Sequence, residues 1–205
     1  MKRSRLFIVT AAGLGAVGVI AGFSQPGEQH GFELPEGWTM EDMAALVAAG
    51  TPGEQHQWLA EGAGSWDGKG SMWGAPGGEP VPFECALTIT PIMDGRYLRS
   101  EMSGEMPGMG VFTGQGVVGY DNVAGKFVGN WIDNQSTGIA NGEGARRGDT
   151  LTWTFSYHCP ITRKPTVLRQ VERIVDANTR TMVMHGTDAK SGKEFKMMEL
   201  TYTRR

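Results

Sequence analysis

The stretch Gly114–Gly138 decides the fold, and it reads GQGVVGYDNVAGKFVGNWIDNQSTG. It holds one apolar run, then the polar pair Asp121-Asn122, then a second apolar run that ends at Trp131. Two apolar runs separated by turn residues are typical of a β-hairpin. We therefore predict that this stretch forms a central hairpin of an antiparallel sheet, with Trp131 anchoring the second strand.

The first part of this stretch, Gly114–Gly119, also matches the dinucleotide-binding fingerprint G-x-G-x-x-G. That fingerprint requires a following helix, because the pyrophosphate binds at the helix N-terminus. Here a turn and a second strand follow, so the sequence excludes a nucleotide site of this kind. We interpret the glycines as positions where a strongly curved strand bends or bulges.

Period-two alternation extends outwards from the hairpin, over the chain from Gly64 onwards. The longest alternation places Leu151, Trp153, Phe155, Tyr157 and Cys159 on one face. Turn residues recur about every ten positions, as in all-β domains. The predicted turns are Asp94-Gly95, which has the sequence of a two-residue hairpin turn, and three that begin with an aspartate: Asp121-Asn122, Asp176–Asn178 and Asp188–Gly192.

This pattern predicts a mainly β protein with about nine or ten short strands. Tight turns join antiparallel neighbours, so the sheet meanders. A long meander leaves two exposed edges unless it closes on itself. We therefore expect an antiparallel up-and-down β-barrel over residues 63–205, with a two-sheet sandwich as the alternative.

Residues 38–62 carry the helical signal. Thr39 and Asp42 form a capping pattern ahead of a helix over Thr39–Ala49. A second short helix is predicted to start from Thr51 as cap, with Pro52 in its first position and Glu54 completing a capping box. These one or two helices precede the barrel and are placed to plug one end of it.

The N-terminus has the pattern of an export signal. Lys2, Arg3 and Arg5 precede the uncharged run Leu6–Phe23, which predicts a signal peptide over residues 1–24. A retained N-terminal anchor is the alternative. Residues 25–37 are polar and rich in Pro and Gly and are predicted to form a linker. We expect an exported protein, periplasmic or secreted, that contacts a membrane only through an uncleaved N-terminal segment.

The net charge limits the classes of binding partner, and the cysteine content limits the possible cross-links. The formal net charge is −3 and no stretch clusters Lys and Arg, which excludes nucleic acid as a partner. Cys85 and Cys159 are the two cysteines. They form either one disulfide in an oxidising compartment or two buried thiols. The oligomeric state stays open.

A closed barrel of this strand number has room for one small molecule. The leading hypothesis is therefore a non-enzymatic barrel that binds a small apolar ligand, and the alternative is a solid core. The aromatic candidates for the lining are Trp66, Phe127, Trp131, Trp153, Phe155 and Tyr157.

A second hypothesis is an enzyme that uses polar groups at the barrel mouth, since carboxylates beside buried aromatics act as acids or bases. The polar candidates are Tyr120, Asp133, Glu143, Arg146 and His158. No spacing in the sequence brings two of them together.

Metal and cofactor sites have little support. The four histidines, His30, His56, His158 and His185, lack the spacing of a zinc site. Met102, Met106 and Met109 form a loose, loop-like methionine group, and thioethers bind Cu(I). Methionine also fills irregular cores, so these three are weak copper candidates only. We expect no cofactor.

Several short segments occur in an order that resembles the bacterial domain-of-unknown-function family 1579 over residues 56–205. They are GAGSW at Gly62–Trp66, MDGRYL at Met93–Leu98, GYDN at Gly119–Asn122, KFVGNWID at Lys126–Asp133, STG at Ser136–Gly138, EG at Glu143-Gly144 and GKEFKMMELTYTRR at Gly192–Arg205. The resemblance implies a lipocalin-like barrel. GSW is similar to the Gly-x-Trp entry of lipocalins and of nitrobindin-like haem barrels, but no histidine aligns with a haem ligand. The family implies no activity, so it identifies no catalytic residue.

Overall fold

The computed structural model describes residues 34–106 and 108–205. The predicted signal peptide, and the linker as far as residue 33, lie outside the described residues. The elements in chain order are α1 (Met40–Gly50), α2 (Glu54–Ala60), β1 (Gly64–Met72), β2 (Val81–Ile92), β3 (Tyr97–Met106), β4 (Gly110–Asp121), β5 (Lys126–Asp133), β6 (Ala140–Arg147), β7 (Thr150–His158), β8 (Pro165–Asp176), β9 (Thr179–Thr187) and β10 (Glu194–Arg204).

The ten strands form one closed antiparallel barrel in which each strand pairs with its sequence neighbours. The last strand returns to the first, with Trp66 of β1 opposite Arg204 of β10 and Met72 opposite Met198. Closure leaves no unpaired sheet edge, which is the physical reason that a long meander adopts it. The predicted up-and-down barrel is confirmed, and the sandwich alternative is wrong.

Alternation along the strands separates the barrel interior from its surface. On β7, Leu151, Trp153 and Phe155 are buried and point inwards, whereas Thr154 and Ser156 are exposed. Burying a large apolar side chain contributes about 1.5–3 kcal/mol to stability. The three buried side chains therefore strongly favour the orientation in which this face of β7 points into the barrel. Tyr157 continues the inward phase but is only partly buried.

The predicted central hairpin is present as β4 and β5, and its glycines have a packing role. An added Cβ at Gly114 would lie 2.3 Å from Cζ2 of Trp131. One at Gly116 would lie 2.3 Å from the Asn130 carbonyl oxygen and 3.0 Å from Cε3 of Trp131. The interpretation that these glycines serve mainly to bend the strand is therefore incomplete. They make room for the Trp131 ring across the hairpin.

Two helices precede the barrel. α1 has the predicted capping box, in which Thr39 and Asp42 exchange hydrogen bonds. It belongs to a compact unit that ends at Thr51, and the barrel unit begins at Pro52. The predicted start of the second helix is wrong, because α2 begins at Glu54 and Gly53 is its N-cap.

The start of α2 is set by His56, whose Nδ1 accepts the Gly53 N–H at 3.0 Å. α2 then packs against one end of the barrel. Trp58 meets Phe127 edge-on at 5.8 Å between ring centroids, and Leu59 joins the core cluster around Leu98 and Phe127. The predicted helical plug is therefore formed by α2. Neither described helix has the length and apolar character that crossing a membrane requires.

The aspartate turns form as predicted. Asp121 Oδ1 accepts the N–H groups of Val123 and Ala124 at 2.8 and 2.9 Å, and Asp188 Oδ2 accepts the Ser191 N–H at 2.7 Å. The N–H groups of Ala124 and Val123 lower the pKa of the Asp121 carboxyl, and the hydroxyl and N–H of Ser191 lower that of Asp188. The turn at Asp94-Gly95 differs from the prediction, since residues 93–96 form a four-residue connection between β2 and β3.

Both cysteines are free thiols. Cys85 is buried on β2, where burial raises its pKa to about 11. Cys159 follows β7, and hydrogen bonds from Thr162 and Ile161 lower its pKa. The disulfide alternative is therefore not formed in this structure.

Candidate functional site

Two adjoining cavities occupy the barrel interior. The first, which we call the apolar chamber, has a volume of about 180 Å³. The second, the polar chamber, has a volume of about 120 Å³. The two share Ser100, Met102, Trp131, Gln170, Glu172, Met182 and Tyr202. They therefore form one continuous candidate site.

The apolar chamber is enclosed by side chains that the strand register directs inwards. Its own lining comes from Phe112, Gly116, Val118, Asn130, Ala140, Trp153, Phe155, Leu168, Met184 and Met198. Methionine is flexible and polarisable, so a wall that includes it adapts to ligands of different shape. This chamber offers apolar contacts on most of its surface.

The polar chamber lies at the barrel end that α2 covers, since Trp58 contributes to its wall. Three charged residues line the polar chamber but not the apolar chamber: Asp149, Arg173 and Arg180. Asp149 and Arg173 are exposed to solvent, so the polar chamber reaches the surface and gives access to the apolar chamber.

Glu172 is the acidic group between the two chambers. It points inwards because its neighbours in register, Leu151 on β7 and Met182 on β9, are both buried. Its Oε1 accepts a hydrogen bond of 2.6 Å from Nε2 of Gln170. Burial raises the pKa of Glu172, and the Gln170 hydrogen bond and the charge of Arg180 oppose that change. A carboxyl in this setting favours its neutral form.

Two arginines lie over the ring of Trp66. The guanidinium carbon of Arg204 is 4.2 Å from the ring centroid, and that of Arg180 is 5.1 Å away. Trp66 is itself fixed, because its indole N–H donates to the Gly62 carbonyl at 3.0 Å. Such cation–π contacts hold a guanidinium in place without using its N–H groups.

Tyr202 contributes a polar group to the wall that both chambers share. It is buried, and an added Cβ at Gly68 would lie 2.8 Å from its ring and 2.6 Å from the Cys85 sulfur. Burial raises the pKa of Tyr202 well above its ordinary value, so the phenol stays neutral. It is a hydrogen-bonding group in a largely apolar wall.

The structure places four of the six predicted aromatic residues at the site. Trp66 lines the polar chamber, Trp131 lines both, and Trp153 and Phe155 line the apolar chamber. Phe127 instead belongs to the buried cluster beneath α2. Tyr157 lines neither chamber.

The five predicted polar candidates do not come together as one site. Tyr120 packs edge-on against Phe127. Asp133 accepts the Gln135 N–H at 2.9 Å. Glu143 pairs with Lys126 at 2.6 Å on the outer surface.

Arg146 and His158 are the other two polar candidates. The Arg146 guanidinium lies 4.5 Å from the Trp58 ring centroid, and its Nη1 pairs with Glu54 at 3.7 Å. His158 is exposed at the end of β7. Neither residue lines a chamber.

The methionine group is not the loop that the sequence indicated. Met102 and Met106 lie on β3 and pack against the buried core, while Met109 is exposed in the turn after that strand. The three therefore do not converge on one point. Among the described residues, His, Cys, Asp and Glu side chains also form no group of three placed to hold a metal ion.

Sequence reasoning missed Gln170, Glu172 and Arg180. β8 reads PTVLRQVERIVD, and its inward positions alternate with outward valines, so hydrophobicity does not identify the buried face. The signal that could have identified the buried face of β8 is the pattern of β7, the strand with which it pairs. β7 has a clear inward face, and an antiparallel register that places Leu151 opposite position 172 directs Glu172 into the barrel.

The comparisons with known proteins agree with this architecture. The Rv2717c protein of M. tuberculosis has 17% sequence identity and a TM-score of 0.56, over 76% of this chain and 99% of that chain. The S-type phycobiliprotein lyase CPES of Guillardia theta has 13% identity and a TM-score of 0.55, over 73% and 91% of the two chains. At these identities the likeness shows the fold alone.

No functionally curated protein shows significant similarity to the chain. The family model described as a protein of unknown function, DUF1579, matches residues 51–204. The match covers α2 and all ten strands and so includes every residue of both chambers. The chain belongs to the DUF1579 family.

Proposed function

We propose that the protein is an exported, lipocalin-like barrel that binds a small, mainly apolar molecule in its two chambers without transforming it. The observation that carries this proposal is the continuous interior space, enclosed by aromatic and methionine side chains and open to solvent past Asp149 and Arg173. Ligand sites are typically concave, mostly apolar and equipped with a few polar groups, and the two chambers have this composition.

The volumes limit the ligand to a small molecule. A dry apolar cavity of about 150 Å³ holds one benzene. The apolar chamber, at about 180 Å³, accommodates a ring or a short aliphatic chain. The polar chamber adds about 120 Å³, which is enough for a head group.

Export is the second part of the proposal. It is supported by the N-terminal sequence, in which Lys2, Arg3 and Arg5 precede the uncharged run Leu6–Phe23. A small-molecule carrier with this leader would meet its ligand outside the cytoplasm.

Native mass spectrometry of protein purified from its own compartment tests the binding proposal. The expected spectrum contains a bound small molecule, which is released on denaturation and extracted for identification. Leu168→Trp, which fills the apolar chamber, is expected to abolish that mass difference. Val167→Trp is the matched control, because Val167 is on the same strand but 52% exposed. A wild-type protein without a bound molecule, which also fails to bind added octanol or octanoate, would overturn the proposal.

A further inference from the structure

We infer that the ligand is a small organic anion, with an apolar body and one carboxylate or similar oxyanion, and that Arg180 binds the oxyanion. This inference rests on the proposed function, since it names the ligand class for the same two chambers. It rests on the Arg180 guanidinium, which lines the polar chamber and has no hydrogen-bond acceptor among the described residues.

Arg180 has hydrogen-bonding capacity that the protein does not use. Its Nε is buried and has no partner, and no hydrogen bond or ion pair joins its guanidinium to another described residue. A guanidinium carries five N–H donors and stays charged in proteins. Burying a charged donor without an acceptor costs more than burying a neutral one. An acceptor supplied by a ligand removes that cost.

Arg204 shows what a structural arginine does in the same place. It also lies over Trp66, but its N–H groups donate to the carbonyls of Ala177, Ala63 and Glu61 at 3.1, 2.6 and 2.9 Å. The protein therefore satisfies one of the two guanidiniums over this ring and leaves the other without acceptors among the described residues. Arg180 is held in position by the ring and keeps its N–H groups for a ligand.

Glu172 does not act as the counter-ion of Arg180. The two groups influence each other electrostatically but form no direct ion pair, and Oε1 of Glu172 is already bonded to Gln170. The burial of Glu172 also favours its neutral acid form. Glu61 also attracts Arg180, and Asp149 lines the same chamber, but neither carboxylate forms an ion pair with it, so the Arg180 guanidinium has no paired negative charge among the described residues. An anionic ligand provides one.

The arrangement of the chambers fixes the orientation of such a ligand. Arg180 lines only the polar chamber, and the apolar chamber beyond Glu172 has a wall of aromatic, aliphatic and methionine side chains. An amphiphile therefore places its oxyanion at Arg180, near the opening, and its apolar body in the interior. Oxyanions form short, charge-assisted hydrogen bonds with arginine, which is why this class is favoured over neutral or cationic head groups.

Three probes of equal chain length separate the head-group classes: octanoate, octanol and octylamine. Each is titrated into the full-length protein, and binding is followed by tryptophan fluorescence, since Trp66, Trp131 and Trp153 line the chambers. We expect octanoate to bind about tenfold or more tightly than octanol, as a charge-assisted hydrogen bond provides. Arg180→Met should remove that preference, so that octanoate no longer binds more tightly than octanol.

Two further variants make the result interpretable. Arg180→Lys keeps the charge and is expected to retain part of the octanoate preference. Arg169→Met removes an arginine from the outer face of β8, where it pairs with Glu194 at 3.3 Å, and should leave all three affinities as in the wild type. Circular dichroism and thermal unfolding establish that each variant is folded.

The outcomes distinguish this inference from the proposed function. If octanol binds but octanoate shows no preference, or if the preference survives in Arg180→Met, the anion inference is overturned and the binding function stands. Preferential binding of octylamine would overturn it too, since Glu172 would then select the head group. If none of the three probes binds, the proposed function fails together with the inference that rests on it.

Discussion

Gln170 donates a hydrogen bond from Nε2 to Oε1 of Glu172, at 2.6 Å, and both side chains point into the barrel from β8. The pair is a polar element in the wall between a mainly apolar chamber and a charged one. It holds the carboxyl in one orientation, so the site keeps a fixed polar boundary in a flexible methionine-rich wall. The same boundary makes the stability of the barrel sensitive to pH.

Glu172→Gln is expected to raise the free energy of unfolding at neutral pH. Burial raises the pKa of Glu172 in the folded state. The folded protein therefore binds the proton of this carboxyl more tightly than the unfolded chain does. The stability contributed by this group is then fully present below the unfolded-state pKa of about 4.3. It falls as the pH rises from there through the folded-state pKa, by about 1.4 kcal/mol for each pH unit that separates the two pKa values. The free energy of unfolding of the Glu172→Gln variant should not show this decrease as the pH rises.

Urea unfolding between about pH 4 and about pH 8 measures the difference between wild type and variant. Glu105→Gln, at an exposed position of β3, is the matched control and should follow the wild-type profile. A Glu172→Gln profile that also follows the wild type would show that this carboxyl titrates normally. The charged or titratable side chains that influence it are Arg180 and Tyr202.

The sequence predicted the barrel because its strongest strands have one clearly apolar face. Leu151, Trp153 and Phe155 alternate with polar residues, and burial of such a face follows from its apolar area alone. The hairpin around Asp121 was equally readable, since a turn aspartate acts through neighbouring backbone groups.

The polar part of the site was not predictable in the same way. Glu172 lies in a strand whose outward face also carries valines, so its direction depends on the register with β7. Arg180 and Arg204 are alike in sequence but differ in hydrogen bonding, because Arg204 reaches three carbonyls at the closing end of the barrel. Those distinctions are tertiary, and local patterns do not contain them.

Gly116→Ala is expected to destabilise the fold by about 1–3 kcal/mol, the usual cost of overpacking. The added Cβ would lie 2.3 Å from the Asn130 carbonyl oxygen, which is backbone and cannot rotate away. Thermal or urea unfolding gives the measurement. Gly138→Ala is the control, because an added Cβ there meets nothing within 4 Å. Equal stability of the two variants would refute the packing role of Gly116.

Arg204→Met should lower the free energy of unfolding by about 2–3 kcal/mol, since three backbone carbonyls lose a charged donor. These carbonyls belong to Glu61, Ala63 and Ala177, so the variant loosens the link between the chain entering β1 and the last strand. Arg169→Met removes only an exposed ion pair and should change stability by less than about 1 kcal/mol in the same urea titration. A loss of similar size in both variants would contradict this role of Arg204.

The two thiols are expected to differ in reactivity. Cys159 is partly exposed and has a lowered pKa, so it should react with a thiol reagent in the native protein. Cys85 is buried, with its pKa raised to about 11, and should react only after unfolding. Thiol counting with and without denaturant tests this, with Cys159→Ser as the control. Absence of any free thiol in the denatured, unreduced protein would indicate a disulfide instead.

The most direct test of ligand binding in the barrel is a crystal structure of the protein purified from its own compartment, followed by a second one soaked in octanoate. We predict density for a small molecule across both chambers, with an oxyanion at Arg180 and an apolar body among Trp153, Phe155 and Met184. Chambers that hold only water, or that side chains fill, in both crystals would contradict the proposed function.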